Sequence, residues 1–241
     1  MQPSIIYEDG NVLILNKPAG LMVHPDGKSA EPTLADWIAE RYPTLAEVGE
    51  AQLDAHGEPL LRPGLVHRLD RETSGVIAVA KTQEAFEHLK EQFKNRLVEK
   101  VYCALVYGAV QIRRGEEGSI NAPIGRSRVS GRWTAVRPGE KTREALTEYR
   151  LRERFRDYTV LTVIPRTGRT HQIRVHLKSI GHAVVCDKVY APKLFCPVAG
   201  LSRLGLHAEA LSFTLPSGKW KSFSVPLPGD LAGALEALRN L

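Results

Sequence analysis

A chain of 241 residues, 43% hydrophobic and 25% charged, can bury a sizeable core and has the balance of an ordinary globular protein. No apolar run is long enough to span a bilayer, and Met1-Gln2-Pro3-Ser4 lacks the basic and apolar regions of a signal peptide, so neither a membrane-spanning nor a secreted protein is expected. Lys and Arg total 33 against 27 acids, a modest excess that says less than its distribution.

The cysteines, Cys103, Cys186 and Cys196, are odd in number and form no Cys-x-x-Cys pair. Reduced thiols in a cytoplasmic protein are expected, and no zinc site. From the start, Ile5 to Leu15 reads as strand, turn and strand around Glu8-Asp9-Gly10-Asn11. In Asn16-Lys17-Pro18-Ala19-Gly20-Leu21-Met22-Val23-His24-Pro25, Pro18 and Gly20 fix a bend; a supporting turn is expected, with Lys17 a secondary candidate for a phosphate contact. Thr33 caps a short helix to Arg41 that places Leu34, Trp37 and Ile38 on one face. Tyr42 to Gly64 has no period and reads as a loop.

His67-Arg68-Leu69-Asp70-Arg71-Glu72-Thr73-Ser74-Gly75 then leads into Val76-Ile77-Ala78-Val79-Ala80, a short apolar run expected to be a buried strand. A carboxylate entering a core strand is held rigidly, and Arg68 and Arg71 beside it favour its ionised form. Such a group can act as a nucleophile or base next to an anionic substrate; an ordinary surface turn with ion pairs is the alternative.

Thr82 caps a helix with Phe86, Leu89, Phe93 and Leu97 on one face, and Glu99 to Gly108 alternates as a strand containing Tyr102. Between Ile120 and Arg156 lies a basic segment that includes Arg126, Arg128, Arg132, Arg150, Arg152 and Arg154. It is either the footprint of a phosphate backbone or a solvated face.

Tyr158 to Ile164 is β-branched and strand-like, and precedes Pro165-Arg166-Thr167-Gly168-Arg169-Thr170-His171-Gln172-Ile173-Arg174-Val175-His176-Leu177. Thr170 is expected to cap a helix from His171 towards Ile180, ended by Gly181. Ile173, Leu177 and Ile180 would enter the core, while His171, Arg174 and Lys178 share the neighbouring face. His171 and His176 diverge on that helix, which argues against a metal pair. Leu206 to Thr214 alternates as a strand, Ser217-Gly218 turns into Lys219 to Phe223, and Asp230 is expected to cap a last helix with Leu231, Ala234, Leu235 and Leu238 inward.

The nine residues from His67 to Gly75 resemble the central motif of the RluA-type pseudouridine synthases, His-Arg-Leu-Asp-Arg-x-Thr-Ser-Gly. The stretches at Asn16–His24, Lys100–Gly108 and Pro165–Leu177 resemble further family motifs in the same order, and the resemblance runs from about Ile5 to the end. The sequence departs from it at Arg132-Trp133, where relatives often carry Lys-Met, and at Cys186, where they usually carry Gly.

The resemblance implies an α+β fold: a long mixed, mostly antiparallel sheet with flanking helices and a central RNA-binding cleft. It implies one catalytic domain over residues 1–241, in the form lacking the N-terminal S4 module. The implied activity converts uridine to pseudouridine in tRNA or rRNA. Asp70 would be the catalytic aspartate, Tyr102 would stack on the target base, and Arg174 would pair with the aspartate. Arg68, Arg169, His171, Arg126 and Arg128 would contact RNA, with Arg68 filling the space left by the extruded base. No metal or cofactor is implied. The expected partner is an RNA stem-loop, bound by a cytoplasmic monomer that needs no membrane and no obligatory protein partner.

Competing readings are weaker. A glycoside hydrolase needs a second carboxyl, for which Glu72 is the local candidate, and an arginine-flanked site suits phosphate better than sugar. The intact Asp70 argues against a catalytically silent RNA-binding protein. A DNA-binding protein would show a recognition helix, and none is evident.

Overall fold

The computed structural model describes residues 2–25, 30–50, 57, 62–112, 115–127, 130–135 and 142–241. In chain order these form β1 (Ser4–Glu8), β2 (Val12–Lys17), α1 (Leu34–Arg41), β3 (Ser74–Ala80), α2 (Gln83–Lys94) and β4 (Glu99–Tyr107). Then come β5 (Glu117–Asn121), β6 (Ile124–Arg126), β7 (Trp133–Ala135), β8 (Thr142–Arg143), β9 (Leu146–Arg154), β10 (Tyr158–Pro165) and α3 (Gln172–Ser179). β11 (Leu206–Thr214), β12 (Trp220–Ser224) and α4 (Gly229–Arg239) complete the chain. β1 with β2, β2 with β3, β11 with β12, β4 with β10, β10 with β9 and β9 with β5 all pair antiparallel, which gives the expected α+β architecture of mostly antiparallel sheet and flanking helices.

Two compact units organise these elements: Met1–Glu99 with Ala210–Val225, and Lys100–Glu209 with Pro226–Leu241. In the first, β1, β2 and β3 pair in that order, and β12 pairs with the Ala210–Thr214 half of β11. The β1–β2 turn closes because the Asp9 carboxylate accepts from the main-chain N–H groups of Asn11 and Val12, both at 2.8 Å. Every residue of β3 is buried, and Val76 and Ala78 pack with Val12, Ile14, Phe86, Leu89, Phe213 and Phe223.

Local capping forms the helices where the sequence places them. Thr33 and Asp36 make a reciprocal capping box at α1, and the Thr82 hydroxyl accepts from Ala85 N–H at α2. Gly64 lies at φ 64°, and a Cβ there would come within 2.0 Å of the Ala80 carbonyl, so only glycine lets this strand-side segment approach β3. The stretch read as a loop after Tyr42 contains a short 3₁₀ turn at Pro43–Glu47; residues 51–56 and 58–61 lie outside the described residues.

In the second unit the strand order is β4-β10-β9-β5, with a small β7-β6-β8 sheet beside it. Ala104, Val106, Leu161 and Val163 pack against Ile173 and Leu177 of α3. Leu105, Val160 and Cys103 pack with Leu231, Ala234, Leu235 and Leu238 of α4, the inward face expected for that helix.

Several expectations are corrected. α2 ends at Lys94, so Leu97 is off the helix and exposed. Ile180 caps α3 and is partly exposed instead of entering the core. At the other end of α3 the N-cap is His171, in the left-handed region at φ 54°, not Thr170; Gln172 does the local work by accepting from Arg169 N–H and the Thr167 hydroxyl. Pro228 occupies the α4 cap, and Asp230 sits in the first turn bound to Arg203.

The expectation of three reduced thiols also fails. Cys186 and Cys196 form a disulfide with Cα atoms 5.3 Å apart, and only Cys103 is free. Residues 184–186 are drawn beside β4 by the Val106–Val184 bridge and the Val185 N–H to Leu105 carbonyl bond, while a Val198–Leu201 bridge folds the following loop back. That closure depends on tertiary pairing, which Cys spacing alone does not report.

Candidate active site

The Asp70 loop is fixed from both ends. On its N-terminal side, Ala78 of β3 donates its N–H to His67 Nε2 at 2.9 Å, and the His67 ring stacks on Phe93 at 4.6 Å. Leu69 is buried, and on the C-terminal side Thr73 and Ser74 are buried as the chain enters β3, with Thr73 N–H donating to the Asp70 carbonyl at 3.1 Å. Asp70 itself is half-buried between these anchors.

Lys17 completes the seat. It is fully buried at the end of β2, and its ammonium donates to the carbonyls of Pro18, Leu21 and Arg71 at 2.9, 2.7 and 3.0 Å. The supporting turn expected of this motif is therefore what forms. The secondary suggestion of a Lys17–phosphate contact is corrected, because the ammonium is enclosed. Gly20 and Arg71 strengthen the join: Gly20 N–H donates to the Arg71 carbonyl and Arg71 Nε donates to the Gly20 carbonyl.

The flanking cations are placed differently from one another. Arg71 is directed to Glu31 at 2.5 Å, with Glu72 at 3.9 Å. Arg68 is exposed and donates to His24 Nε2 at 3.0 Å. Burial, with a further contribution from the nearby Arg68 charge, lowers the pKa of the Arg62 guanidinium from its ordinary value.

In the second unit, Tyr102 lies half-buried on β4 opposite Val163 of β10, at the margin of the Ala104–Leu161–Ile173 cluster. Arg174 is buried on α3. Its Nε and Nη2 donate to the two oxygens of Asp187 at 2.7 and 2.8 Å, a fork of two parallel bonds. Asp187 Oδ1 also accepts from the N–H groups of Val189 and Tyr190, both at 2.9 Å. Burial pushes this carboxyl up, but the Arg174 bonds and charge with the two amides outweigh it and hold the group below the usual carboxylate range.

The Tyr190 ring lies 5.0 Å from the Arg174 guanidinium carbon, and its hydroxyl hydrogen-bonds His171 Nδ1 at 2.9 Å. Asp187 escaped the sequence reading. It follows Cys186 in a stretch that drew notice only for its missing glycine, and no local pattern links it to a helix thirteen positions earlier.

Of the RNA-contact candidates, Arg169 donates through Nε to the Glu144 carbonyl at 3.0 Å, and the exposed Arg126 lies over the Trp133 ring at 5.5 Å. Arg128 lies outside the described residues. Much of the basic segment is internally engaged: Arg150 pairs with Glu117, Arg152 with Glu209, and Arg154 donates to the Val110 and Ile112 carbonyls. His176 is wholly buried; Nε2–H donates to the Ala122 carbonyl and Nδ1 pairs with the Thr147 hydroxyl. Among the described residues no group of three His, Cys, Asp or Glu side chains is arranged to hold a metal ion.

A family model of RNA pseudouridylate synthases matches residues 11–179, the segment that carries the Asp70 loop, Tyr102 and Arg174. The chain is 44% identical to an uncharacterized RNA pseudouridine synthase of Chloroflexus aurantiacus, over 93% of this chain and 66% of that protein. It is 40% identical to the ribosomal large subunit pseudouridine synthase D of Nitrosomonas europaea, over 98% of this chain and 65% of that protein. It therefore spans about two thirds of the length of these relatives. The solved structure of human RNA pseudouridylate synthase domain containing 4 superposes with a TM-score of 0.74 at 25% identity, covering 98% of this chain and 93% of that one. With the fold in agreement and the family model matching more than half of the chain, the chain belongs to the RNA pseudouridylate synthase family.

Proposed function

We propose that this protein isomerises uridine in RNA to pseudouridine, with Asp70 as the reacting carboxylate. The observation that carries the reading is the seat of Asp70: a half-buried carboxylate in a loop braced by buried Lys17 and joined directly to buried β3, in a chain of this family. A reacting group held this way loses little on reaching its attack geometry.

The reaction breaks the C1′–N1 bond, rotates the base, forms a C1′–C5 bond, releases the C5 proton and places a proton on N1. Product and substrate are isomers, so no electron or group donor is required. Asp70 serves either as nucleophile at C1′ or as base at C2′. Tyr102 stacks on the flipped base, Arg68 fills the gap it leaves, and Arg174 supplies a fixed cation to the same reaction. Arg169, His171, Arg126 and Arg128 contact the RNA.

The substrate is a uridine in a stem-loop of tRNA or rRNA, where a loop base is extruded at little stacking cost. Residues 1–241 act as one catalytic domain, as a cytoplasmic monomer without an obligatory protein partner or metal.

The test is tritium release from C5-tritiated uridine in tRNA and rRNA transcripts. Release matched by pseudouridine at a defined site is expected. No release from any of these RNAs would overturn the reading.

A further inference from the structure

We infer that Asp187 and Tyr190 are positioning residues for this reaction: together they hold Arg174 with a carboxylate fork and an aromatic ring and so fix where its other N–H donors point. The inference rests on the catalytic role proposed above for Arg174.

The grip has two independent parts. Asp187 takes Nε and Nη2 of the guanidinium in a fork, with side-chain exposures of 8% for the arginine and 0% for the acid. A fork fixes the guanidinium plane and its rotation, which a single ion-pair contact does not. The Nη1 group lies outside the fork, so the fork sets its direction. The Arg174 guanidinium carbon also lies over the Tyr190 ring, 5.0 Å from its centroid, and the Tyr190 hydroxyl is tied to His171 at the left-handed start of α3. Asp187 cannot swing away, because its Oδ1 is held by the Val189 and Tyr190 amides.

Stability alone is a poor reason for this arrangement. A buried ion pair is often no more stabilising than apolar side chains of the same volume. What it supplies is direction, and a misplacement of about an ångström in a reacting array costs roughly a hundredfold in rate.

The decisive comparison uses Asp187→Asn, Tyr190→Leu and Arg174→Ala in the full chain. Single-turnover isomerisation is measured with enzyme in excess, beside RNA affinity and the folded fraction from circular dichroism. Asp187→Asn keeps the shape but loses the charge and one acceptor; Tyr190→Leu keeps the fork and loses the ring.

Both folded variants are expected to slow the single-turnover rate at least tenfold, with Kd for the RNA changed less than about threefold. Loss of some folded protein alone would leave both the amplitude and the saturated rate intact, because folded enzyme still exceeds RNA; the folded fraction from circular dichroism verifies that excess. The inference is overturned if Arg174→Ala is inactive while the folded positioning variants turn over within about twofold of wild type. If Asp187→Asn does not fold, Tyr190→Leu decides by the same criterion. Full activity in Arg174→Ala would instead remove the catalytic role of Arg174, and is distinguishable from both.

Discussion

The ammonium of Lys17 donates to the main-chain carbonyl of Arg71, the residue after Asp70, at 3.0 Å. A fully buried cation thus ties the end of β2 to the loop that carries Asp70. Two more carbonyls, of Pro18 and Leu21, share that ammonium, so its charge is enclosed by oriented main-chain dipoles.

Removing the ammonium takes the charged donor from the Pro18 and Leu21 carbonyls and leaves the Arg71 carbonyl with Gly20 N–H alone. Lys17→Met is expected to lower stability by roughly 2–3 kcal/mol, since the Pro18 and Leu21 carbonyls lose a charged donor that methionine cannot replace. The same variant should lose more in kcat than in RNA affinity, because the Asp70 loop loosens while Arg68 and Arg126 are unchanged. Urea denaturation and single-turnover assays of one preparation check both; a variant that matches wild type in both would show that Lys17 does not brace the loop.

His176 predicts a pH dependence of stability. Its burial, only partly offset by the bond to the Ala122 carbonyl, lowers its pKa from the ordinary 6.5. A depressed folded-state value means the unfolded chain binds more protons between the two pKa values. The contribution is therefore fully present above pH 6.5 and is lost as pH falls through the folded value. His176→Gln, which retains an amide donor for Ala122, should flatten this part of the curve. Urea midpoints measured between about pH 5 and pH 8 test the sign; an unchanged wild-type slope in the variant would refute it.

Where the cause was local, the sequence was readable. The caps at Thr33 and Thr82, the bend at Lys17-Pro18 and the buried Val76–Ala80 strand all rest on neighbours within a few positions, and all form. Helix ends were less readable: Leu97 continues the apolar spacing of α2, yet the chain leaves the helix at Asn95 and reaches φ 61° at Arg96. The pairing of Arg174 with Asp187 was not readable. Asp187 reaches it through a turn, with its own charge satisfied by amides whose direction only the fold sets. The disulfide was hidden for the same reason, since it joins positions ten apart across a folded-back loop.

Charge counting treated the basic segment as a unit, whereas the structure separates its members. Arg126 is exposed over Trp133, while Arg150 is paired with Glu117. Arg126→Glu is expected to raise KM more than it lowers kcat and to reduce the slope of log K against log [salt] by about 0.7 to 0.9. Arg150→Ala should leave that slope unchanged. Binding titrations over a salt series distinguish them; equal slopes in wild type and Arg126→Glu would exclude a phosphate contact at Arg126.

The central claim is that Asp70 reacts. Asp70→Asn replaces the carboxylate with a neutral group of the same shape, in a loop whose anchors at His67, Lys17 and Thr73 are untouched. RNA affinity should stay within about tenfold, ~1.4 kcal/mol, because phosphate contacts dominate it. The most direct measurement is single-turnover tritium release from C5-tritiated uridine RNA, with bound RNA verified in the same mixture. The expected result is saturated binding with no release by Asp70→Asn, against full release by wild type. Release by the saturated, folded variant at a rate near wild type would contradict the account.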